Sequence, residues 1–464
     1  MRYVSTRGRS SEDFHGAVMA GLAPDGGLFV PEEIPFVFSR LKEWSQLSFT
    51  DLFQEVITPY VDGAIHRPVL KGLVRRAFAR FSHPEVTPVV PMGPLFLTEL
   101  FHGPTLAFKD VALQFLGLLF EHWLSESGEK ITIVGATSGD TGSAAIHALR
   151  GRRNVEVFIL FPQGRVSRMQ ELQMTTVPDA NIHCIAVQGT FDDAQDIVKG
   201  MFNDSSFNAR YRLSAVNSIN WARVMAQVTY FFYSYFRVLE HRGMKPGDLV
   251  RVSVPTGNFG HVYAGVLARR MGLPIAKLIL ATNSNSILDR FVQSGEYRKG
   301  QVVQTLSPSM DIQVASNFER YLFDVAGGDG VRVGQWLATL RDLGGFTLSS
   351  GLMRKVWGDF GSRAVNDRET VATIGEVHRR WGYLLDPHSA VGVRAALDQG
   401  PGGPPLICMA TAHPAKFPEA IRRAVGFPPA MPPALANLEG LPARVHVLPA
   451  RLDAVQDYIR SKLL

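Results

Sequence analysis

The segment Ile131-Thr-Ile-Val-Gly-Ala-Thr-Ser-Gly-Asp-Thr-Gly-Ser-Ala-Ala-Ile-His-Ala-Leu149 decides the fold class. It opens with a β-branched run, passes through glycines and small polar residues, and continues into an Ala-rich stretch. β-Branched residues favour strands, whereas Ala and Leu favour helices. The segment therefore predicts a strand, a tight turn and a helix in direct succession.

The same alternation extends along most of the chain. The predicted strands are Ile131–Val134, Val155–Phe161, Ile182–Val187, Leu249–Val254, Leu278–Ala281 and Leu406–Met409. The predicted helices are Gly142–Leu149, Val166–Thr175, Asp192–Asn203, Trp221–Glu240, Gly260–Met271 and Ser286–Ser294. Alternating strands and helices are typical of parallel sheets covered by helices, so we predict an α/β fold. Residues 1 to about 85 lack the alternation and carry predicted helices at Asp13–Gly21 and Phe49–Val61.

The composition is that of an ordinary globular protein of 464 residues, with 46% hydrophobic and 19% charged residues. A formal charge of +6 without a long Lys/Arg run argues against nucleic-acid binding. Two cysteines make no disulfide framework and fit a reducing cytoplasm. The apolar run Val228–Phe236 is bracketed by Arg223 and Arg237, which predicts a buried helix and no membrane span. Without His-Glu-x-x-His or Cys-x-x-Cys, a metal site is not expected.

Lys109 lies in His102-Gly-Pro-Thr-Leu-Ala-Phe-Lys-Asp110, directly before an apolar helical stretch. A surface lysine beside a core helix would explain an isolated case. A desolvated lysine, however, favours its neutral and nucleophilic form, which reacts with carbonyls such as that of pyridoxal phosphate (PLP). The neighbouring motifs decide between these interpretations.

Two strand-to-helix turns, Gly135–Ser143 and Pro255-Thr-Gly-Asn-Phe-Gly-His261, carry glycines and small polar residues. Free backbone N–H groups at a helix start bind anions. Neither turn contains a P-loop or a G-x-G-x-x-G motif, so a nucleotide is not indicated. Capped turns alone would explain one such sequence, whereas two of them favour two anionic groups bound near each other.

Two further polar clusters stand out. In Asn217-Ser-Ile-Asn-Trp-Ala-Arg223, Asn217 or Ser218 could cap the following helix, but Arg223 adds paired donors that suit a phosphate. In Met409-Ala-Thr-Ala-His-Pro-Ala-Lys416, Thr411 follows the last apolar strand, where a hydroxyl could reach a ligand.

Taken in order, these motifs resemble threonine synthase over residues 1 to about 425. The resemblance rests on the three clusters around Lys109, Asn217 and Thr411, on both glycine turns, and on five further matches. Those matches are Tyr3-Val-Ser-Thr-Arg7, Gly21-Leu-Ala-Pro-Asp-Gly-Gly-Leu-Phe-Val-Pro31, Ser309-Met-Asp-Ile-Gln313, Ser316-Asn-Phe-Glu-Arg320 and Asp386-Pro-His-Ser-Ala-Val-Gly392.

The resemblance implies a carbon–oxygen lyase that converts O-phosphohomoserine and water to threonine and phosphate with PLP. It implies two parallel-sheet α/β domains of the tryptophan-synthase β-like type, with the cofactor between them. We expect an α-rich N-terminal segment over 1–85, a large PLP-binding domain from 86–130 and 216–464, and a small domain over 131–215. We expect a cytoplasmic monomer or homodimer that binds no nucleic acid and no membrane.

Site roles follow from the resemblance position by position. Lys109 would bind PLP covalently and move the carbon protons of the substrate. The cofactor phosphate would lie against the backbone of Gly257, Asn258, Phe259, Gly260 and His261, and Thr411 would face the pyridine nitrogen. Ser138, Asp140 and Thr141 would meet the substrate carboxylate and the cofactor ring, and Asn217, Ser218 and Arg223 would bind the substrate phosphate.

Two positions depart from the wider group of PLP folds. Asp140 replaces a more common Asn, and a carboxylate facing the O3′ oxygen of PLP would repel it unless a proton is shared. His261 replaces Asn or Asp, and we expect its backbone to matter more than its imidazole.

Two other activities compete with this interpretation. A serine or threonine dehydratase would also use PLP but would not need a second phosphate site. A non-catalytic PLP-binding protein would not need Lys109 and both anion turns intact.

Overall fold

The computed structural model describes residues 1–464 except Arg9, Asp62, Ser138, Pro401 and Leu464. Its strands, in chain order, are β1 Tyr3–Ser5, β2 Ser11–Glu12, β3 Phe29–Pro31, β4 Val89–Met92, β5 Leu95–Glu99, β6 Ile131–Ala136, β7 Val155–Pro162, β8 Ile182–Gln188, β9 Leu213–Ser214, β10 Val250–Pro255, β11 Ile275–Thr282, β12 Glu296–Arg298, β13 Gly345–Thr347, β14 Phe360–Ala364, β15 Leu406–Ala410 and β16 His446–Pro449.

The α-helices follow the same numbering. They are α1 Phe14–Ala20, α2 Leu41–Trp44, α3 Phe49–Val61, α4 Arg67–Phe78, α5 Lys109–Ser127, α6 Asp140–Leu149, α7 Arg168–Thr175, α8 Phe191–Asn203, α9 Ser205–Tyr211, α10 Trp221–Arg242, α11 Gly260–Arg270, α12 Ile287–Ser294, α13 Phe318–Val325, α14 Gly330–Leu343, α15 Ser350–Asp359, α16 Asp367–Trp381, α17 Pro387–Leu397, α18 Pro418–Val425, α19 Pro433–Ala436 and α20 Leu452–Lys462. Each predicted strand and helix is present, with ends that shift by only a few residues. The predicted α/β class with parallel sheets is confirmed.

The chain forms two compact units. The first unit contains Met1–Phe108 and Ser218–Pro429, and the second contains Lys109–Asn217 and Ala430–Leu464. This division differs from the predicted domain bounds in two places. Helix α5 and the C-terminal tail both belong to the second unit, where the sequence placed them in the large domain.

The first unit is built on a six-stranded sheet in the order β14-β11-β10-β15-β5-β4. The five strands from β14 to β5 are parallel, and β4 pairs antiparallel with β5. Because β5, β10 and β15 are parallel neighbours, the segments that follow them leave the sheet at the same edge. These segments are residues 100–108, 256–259 and 411–417, and they contain the predicted site residues Gly257, Asn258, Phe259 and Thr411.

Several elements of the first unit were not predicted. Strand β14 reads Phe-Gly-Ser-Arg-Ala and lies at the sheet edge, so neither its composition nor an alternating pattern marks it as a strand. Strands β1, β2 and β3 form a small antiparallel sheet inside the N-terminal segment that was predicted to be α-rich.

The second unit is built on a parallel sheet in the order β16-β8-β7-β6-β9. The tail joins this unit because β16 pairs with β8, and because Val455 and Ile459 of α20 are fully buried beside Phe158 and Ile185. In the same unit, a Cβ added to Gly117 of α5 would lie 2.5 Å from the carbonyl oxygen of Ala148 in α6. Helices α5 and α6 are thus packed backbone to backbone.

Helix α10 contains the predicted apolar run and is buried on nearly every side. Its aromatic side chains pack on helices of the N-terminal segment, as in the 5.5 Å edge contact between Phe232 and Trp44. Among the described residues, no helix is both long and apolar enough to cross a membrane. Cys184 and Cys408 are free and buried in strands β8 and β15.

Candidate active site

The segment that precedes Lys109 pairs with the Thr411 cluster in the first unit. The backbone N–H of Phe108 donates to the carbonyl oxygen of Thr411 (2.8 Å), and that of His413 donates to the carbonyl oxygen of Leu106 (3.1 Å). Two motifs far apart in the sequence therefore form one short antiparallel contact. Since Phe108 is the last residue before Lys109, this contact fixes the chain immediately before the lysine.

His413 and Lys416 stabilise this arrangement. The imidazole of His413 accepts from the N–H of Ala415 (3.1 Å) and caps a short 3-10 helix over Pro414–Lys416. The amine of Lys416 is fully buried and donates to the carbonyl oxygen of Thr105 (2.9 Å). Both residues therefore have structural contacts in the loop.

Thr411 lies one residue beyond β15 and is almost completely buried. Its N–H donates to Ser389 Oγ (2.9 Å), whereas its own Oγ1 has no partner among the residues described. A buried hydroxyl without a partner costs about 1–3 kcal/mol, so the side chain is suited to a polar group of a ligand.

The Gly257 turn follows β10, and its glycines are required by close contacts. A Cβ on Gly257 would lie 2.7 Å from the carbonyl oxygen of Ser309. A Cβ on Gly260 would lie 3.1 Å from the amide nitrogen of Asn317. Phe259 has a left-handed backbone (φ +66°) and directly precedes helix α11. A left-handed residue beside right-handed ones turns successive N–H groups to one side, which forms an anion-binding concavity.

One carbonyl group of this turn, that of Asn258, is bonded to Asn317. The carbonyl oxygen of Asn258 accepts from both the backbone N–H (3.0 Å) and the side-chain amide (3.1 Å) of Asn317. The ring of Phe259 is buried and packs on Phe318 at 5.2 Å. The fold thus supports a strained turn whose N–H groups suit a phosphate.

His261 is buried in the first turn of α11, and its imidazole packs against aromatic rings. It stacks on Phe108 with 4.8 Å between ring centroids and meets Tyr230 edge-on at 5.4 Å. Burial lowers the pKa of His261 to about 3, so the ring is neutral. Within the described part of the chain neither ring nitrogen has a hydrogen-bond partner. The side chain therefore connects the glycine turn to the residue before Lys109.

The start of helix α10 differs from the sequence interpretation. Asn220 is the N-cap, because its side-chain oxygen accepts from the N–H of Ala222 (3.0 Å). Asn217 and Ser218 precede the cap, and Asn217 is exposed. The carbonyl oxygen of Ser218 accepts from Asn317 (3.1 Å). The capping alternative for Asn217 or Ser218 is therefore wrong.

Arg223 lies in the first turn of α10 and is buried, with only 4% of the residue exposed. Nε and Nη1 of its guanidinium have no partner among the described residues. Burial lowers the pKa of Arg223 to about 10, so the group is still charged at neutral pH. No described acidic residue forms an ion pair with it, and a buried cation is costly unless a ligand supplies the opposite charge, which makes Arg223 a candidate anion-binding residue.

In the second unit, Lys109 is the first residue of α5 and Asp140 is the first residue of α6. Both side chains are buried, and Lys109 Nζ lies 3.4 Å from Asp140 Oδ2. The other carboxylate oxygen of Asp140 accepts from the side-chain amide of Gln170 (3.0 Å). The carboxylate of Asp140 thus holds the amine of Lys109 near the start of α6.

The first glycine turn is organised by Thr137. Its Oγ1 accepts from the N–H groups of Gly139 (3.0 Å) and Gly142 (2.8 Å). Gly139 has a backbone φ of +137°, and a Cβ there would lie 2.4 Å from the side chain of Gln170. Thr141 is partly buried, and the predicted site residue Ser138 lies outside the described residues.

Sequence reasoning missed several residues that support the site. Asn317 and Ser309 fix the Gly257 turn, His388 contacts Ser309, and Gln170 contacts Asp140. Three of them lie in motifs that carried the resemblance but had no assigned role, which was the available signal. Gln170 lies outside every quoted motif.

Three family models match consecutive parts of the chain. They are described as "Threonine synthase N terminus" over residues 2–78, "Pyridoxal-phosphate dependent enzyme" over residues 82–338, and "Threonine synthase, C-terminal" over residues 389–459. A threonine synthase of Pseudomonas aeruginosa is 46% identical, with 99% of this chain and 98% of that protein covered. The chain belongs to the threonine synthase family.

Solved structures of threonine synthases are similar to this chain over its whole length. PLP-bound threonine synthase from Brucella melitensis superposes with a TM-score of 0.95 and 47% identity, covering 100% of this chain and 99% of that chain. Yeast threonine synthase gives a TM-score of 0.94 and 43% identity, with coverages of 100% and 98%. This threonine synthase family member is a PLP-dependent enzyme of threonine synthesis. The comparisons do not favour the dehydratase or the non-catalytic alternative.

Proposed function

We propose that the enzyme converts O-phosphohomoserine and water to threonine and phosphate, and that Lys109 binds PLP covalently. The observation that carries the substrate assignment is the buried guanidinium of Arg223, whose Nε and Nη1 have no partner among the described residues. PLP already accounts for one phosphate at the Gly257 turn, so a second cationic site calls for a second anion.

Each unit, considered by itself, contains residues that fit one part of PLP. In the first unit, the N–H groups of the 257–261 turn suit the cofactor phosphate. The Thr411 hydroxyl, which has no partner among the described residues, suits the pyridine nitrogen. In the second unit, the buried Lys109 amine would bond covalently to the aldehyde carbon of PLP. Bound PLP draws electrons from the α-carbon of an amino-acid substrate.

A neutral hydroxyl at the pyridine nitrogen leaves that nitrogen largely unprotonated, unlike an Asp partner. Thr411 therefore moderates the electron demand on the substrate.

Lys109 is the proton carrier of the proposed reaction. Its amine would remove the Cα proton and then act at Cβ, since neighbouring carbons lie within reach of one flexible side chain. Asp140, at 3.4 Å, holds the ammonium form of Lys109 between these transfers. We assign Asp140 to this role beside the cofactor ring. Its second carboxylate oxygen accepts from Gln170, which orients the carboxylate toward Lys109.

Arg223 would bind the substrate phosphate and stabilise its negative charge as the Cγ–O bond breaks. A fixed guanidinium in a water-poor setting needs little reorganisation as that charge develops. Asn217 and Ser218 are proposed to complete the phosphate site, and Ser138 and Thr141 to bind the substrate carboxylate.

Phosphate release from O-phosphohomoserine, measured with threonine formation, tests the substrate. We expect equal amounts of both products from the wild-type enzyme and none from Lys109→Ala. Reduction with borohydride should attach the cofactor to Lys109 in the wild type, which peptide mass analysis detects. The exposed Lys199 gives a matched control, since Lys199→Ala should behave as the wild type.

Ammonia release separates the alternatives. If threonine or serine yields ammonia while O-phosphohomoserine yields no phosphate, the substrate assignment is wrong. If Lys109→Ala keeps a chromophore that borohydride fixes to protein, the lysine assignment is wrong.

We further infer a cytoplasmic location, which the free, buried Cys184 and Cys408 support because thiols persist in a reducing compartment. The enzyme is proposed to act as a monomer or homodimer, which light scattering after gel filtration distinguishes.

A further inference from the structure

A buried network centred on Asp386 links two loops of the first unit. Asp386 is the N-cap of α17 and is 1% exposed. Its Oδ1 accepts from the N–H of His388 and faces His388 Nδ1, both at 2.9 Å. Its Oδ2 accepts from the hydroxyl of Ser389 and from the N–H of Ser389 (3.2 Å). The carboxylate is thus surrounded by donors from its own helix.

The direction of each hydrogen bond in the network is fixed. His388 Nε2 accepts from the backbone N–H of Ser309 (3.2 Å), so the proton of a neutral imidazole lies on Nδ1 and points to Asp386. The hydroxyl proton of Ser389 is donated to Asp386, so Ser389 Oγ is left to accept from the N–H of Thr411 (2.9 Å).

The two ends of the network meet the proposed cofactor contacts. At one end, Ser389 fixes the backbone of Thr411, whose hydroxyl has no partner within the described chain. At the other end, His388 fixes the backbone of Ser309, whose carbonyl oxygen lies against Gly257 and would be 2.7 Å from a Cβ there. A single carboxylate therefore supports both the Thr411 hydroxyl and the Gly257 turn.

We propose that Asp386, His388 and Ser389 are positioning residues that set the Thr411 hydroxyl opposite the pyridine nitrogen of PLP and hold the Gly257 turn for its phosphate. This inference rests on the proposed role of Thr411. Ser389 contacts the backbone N–H of Thr411 and not its side chain. The Thr411 hydroxyl can therefore donate its proton to the ring nitrogen of PLP.

Helix capping alone does not account for the network. Asn and Asp cap helices about equally well, so an Asn at position 386 would preserve the cap of α17. It could not accept from both the Ser389 hydroxyl and the His388 ring, because one side of its amide is a donor. Asp386→Asn therefore separates the proposed role from a capping role.

The dissociation constant of PLP provides the main test, measured on apoenzyme titrated with PLP. We expect Asp386→Asn and Ser389→Ala each to weaken PLP binding about tenfold, as loss of one buried hydrogen bond does. The absorbance band of bound PLP should titrate at a different pH, since the contact to its ring nitrogen changes. Asp329→Asn is the matched control, because Asp329 caps α14 at an exposed site.

A double substitution identifies the route of the effect. Asp386→Asn should change the pH titration of the PLP band in the wild type but not in a Thr411→Ala background, since residues that act through one another are not additive. If Thr411→Ala itself leaves PLP affinity and absorbance unchanged, the proposed role of Thr411 is wrong. If Thr411→Ala changes them and Asp386→Asn behaves as Asp329→Asn, the positioning role alone is overturned.

Discussion

Two arginines of the first unit, Arg223 and Arg320, are both buried but differ in their partners. Burial lowers the pKa of each to about 10, so each keeps its charge at neutral pH. Arg320 donates to the carbonyl oxygens of Phe29 (3.0 Å) and Ile219 (2.6 Å) and to the side chain of Asn317. Arg223 has two guanidinium nitrogens without a partner in the described residues. Burial alone therefore does not distinguish the two arginines, whereas their hydrogen-bond partners do, and this difference is the basis for the role proposed for Arg223.

The largest expected effect is on catalysis at Arg223. Arg223→Met keeps the side-chain volume but removes the charge, and we expect kcat/KM for O-phosphohomoserine to fall about 10³-fold, as for loss of a fixed donor to a developing anion. Phosphate release measures the loss. An activity within tenfold of the wild type would remove the distinction between the two arginines.

The next effect is on stability at Arg320. Arg320→Met leaves the carbonyl oxygens of Phe29 and Ile219 without their donor, and we expect the free energy of unfolding to fall by about 3 kcal/mol. The midpoint of urea unfolding measures this loss. Arg223→Met serves as the control. Two guanidinium nitrogens of Arg223 have no partner among the described residues, so removing this buried charge should leave the midpoint unchanged or raise it. Equal destabilisation by both substitutions would contradict the comparison.

His261 tests whether every buried group without partners binds a ligand. The pKa of His261 is about 3 in the folded protein, below its ordinary value of 6.5. The unfolded chain therefore takes up a proton as the pH falls below 6.5 while the folded protein does not, so stability is lost on acidification. At pH 5 the loss amounts to at most about 2 kcal/mol.

His261→Phe preserves the stacking on Phe108 and removes this titration. We expect its unfolding midpoint to fall less between pH 7 and pH 5 than that of the wild type, with PLP still bound. A loss of PLP binding in this variant would instead show that the imidazole itself contacts the cofactor.

The smallest effect concerns ligand binding by Arg223 without turnover. Inorganic phosphate at ten times its dissociation constant should stabilise the PLP-bound enzyme by about 1.4 kcal/mol. Thermal unfolding with phosphate and with chloride at equal ionic strength measures this. The shift should disappear in Arg223→Met, and its persistence would place the phosphate elsewhere.

The fold was predictable where local sequence and tertiary structure agree. Strands β6, β7 and β8 are mostly apolar and rich in β-branched residues, and the expected glycine turn follows β6. Strand β14 was not predictable, because its pairing with β11 compensates for a sequence without strand character. The tail was placed in the wrong unit for the same reason, since pairing of β16 with β8 is a long-range choice.

The candidate site could be proposed from the sequence only to the level of motifs. Lys109, Thr411 and Arg223 could be chosen because their residue types carry the chemistry, and their roles stay predictions. The supporting contacts could not, because Asn317 and His388 act on backbone atoms of loops that are distant in the sequence. The N-cap of α10 shows the limit of local reasoning, since Asn217, Ser218 and Asn220 are equally good caps by type and only the structure selects Asn220.

The pairing of β16 with β8 also has a consequence for synthesis on the ribosome. Strand β8 is made early, and its open edge has no strand partner until β16 emerges, after the long segment of the first unit has been made. An unpaired apolar edge is a template for aggregation during that interval. We therefore expect that a fusion that delays or blocks β16 lowers the yield of folded protein more than one at the N-terminus.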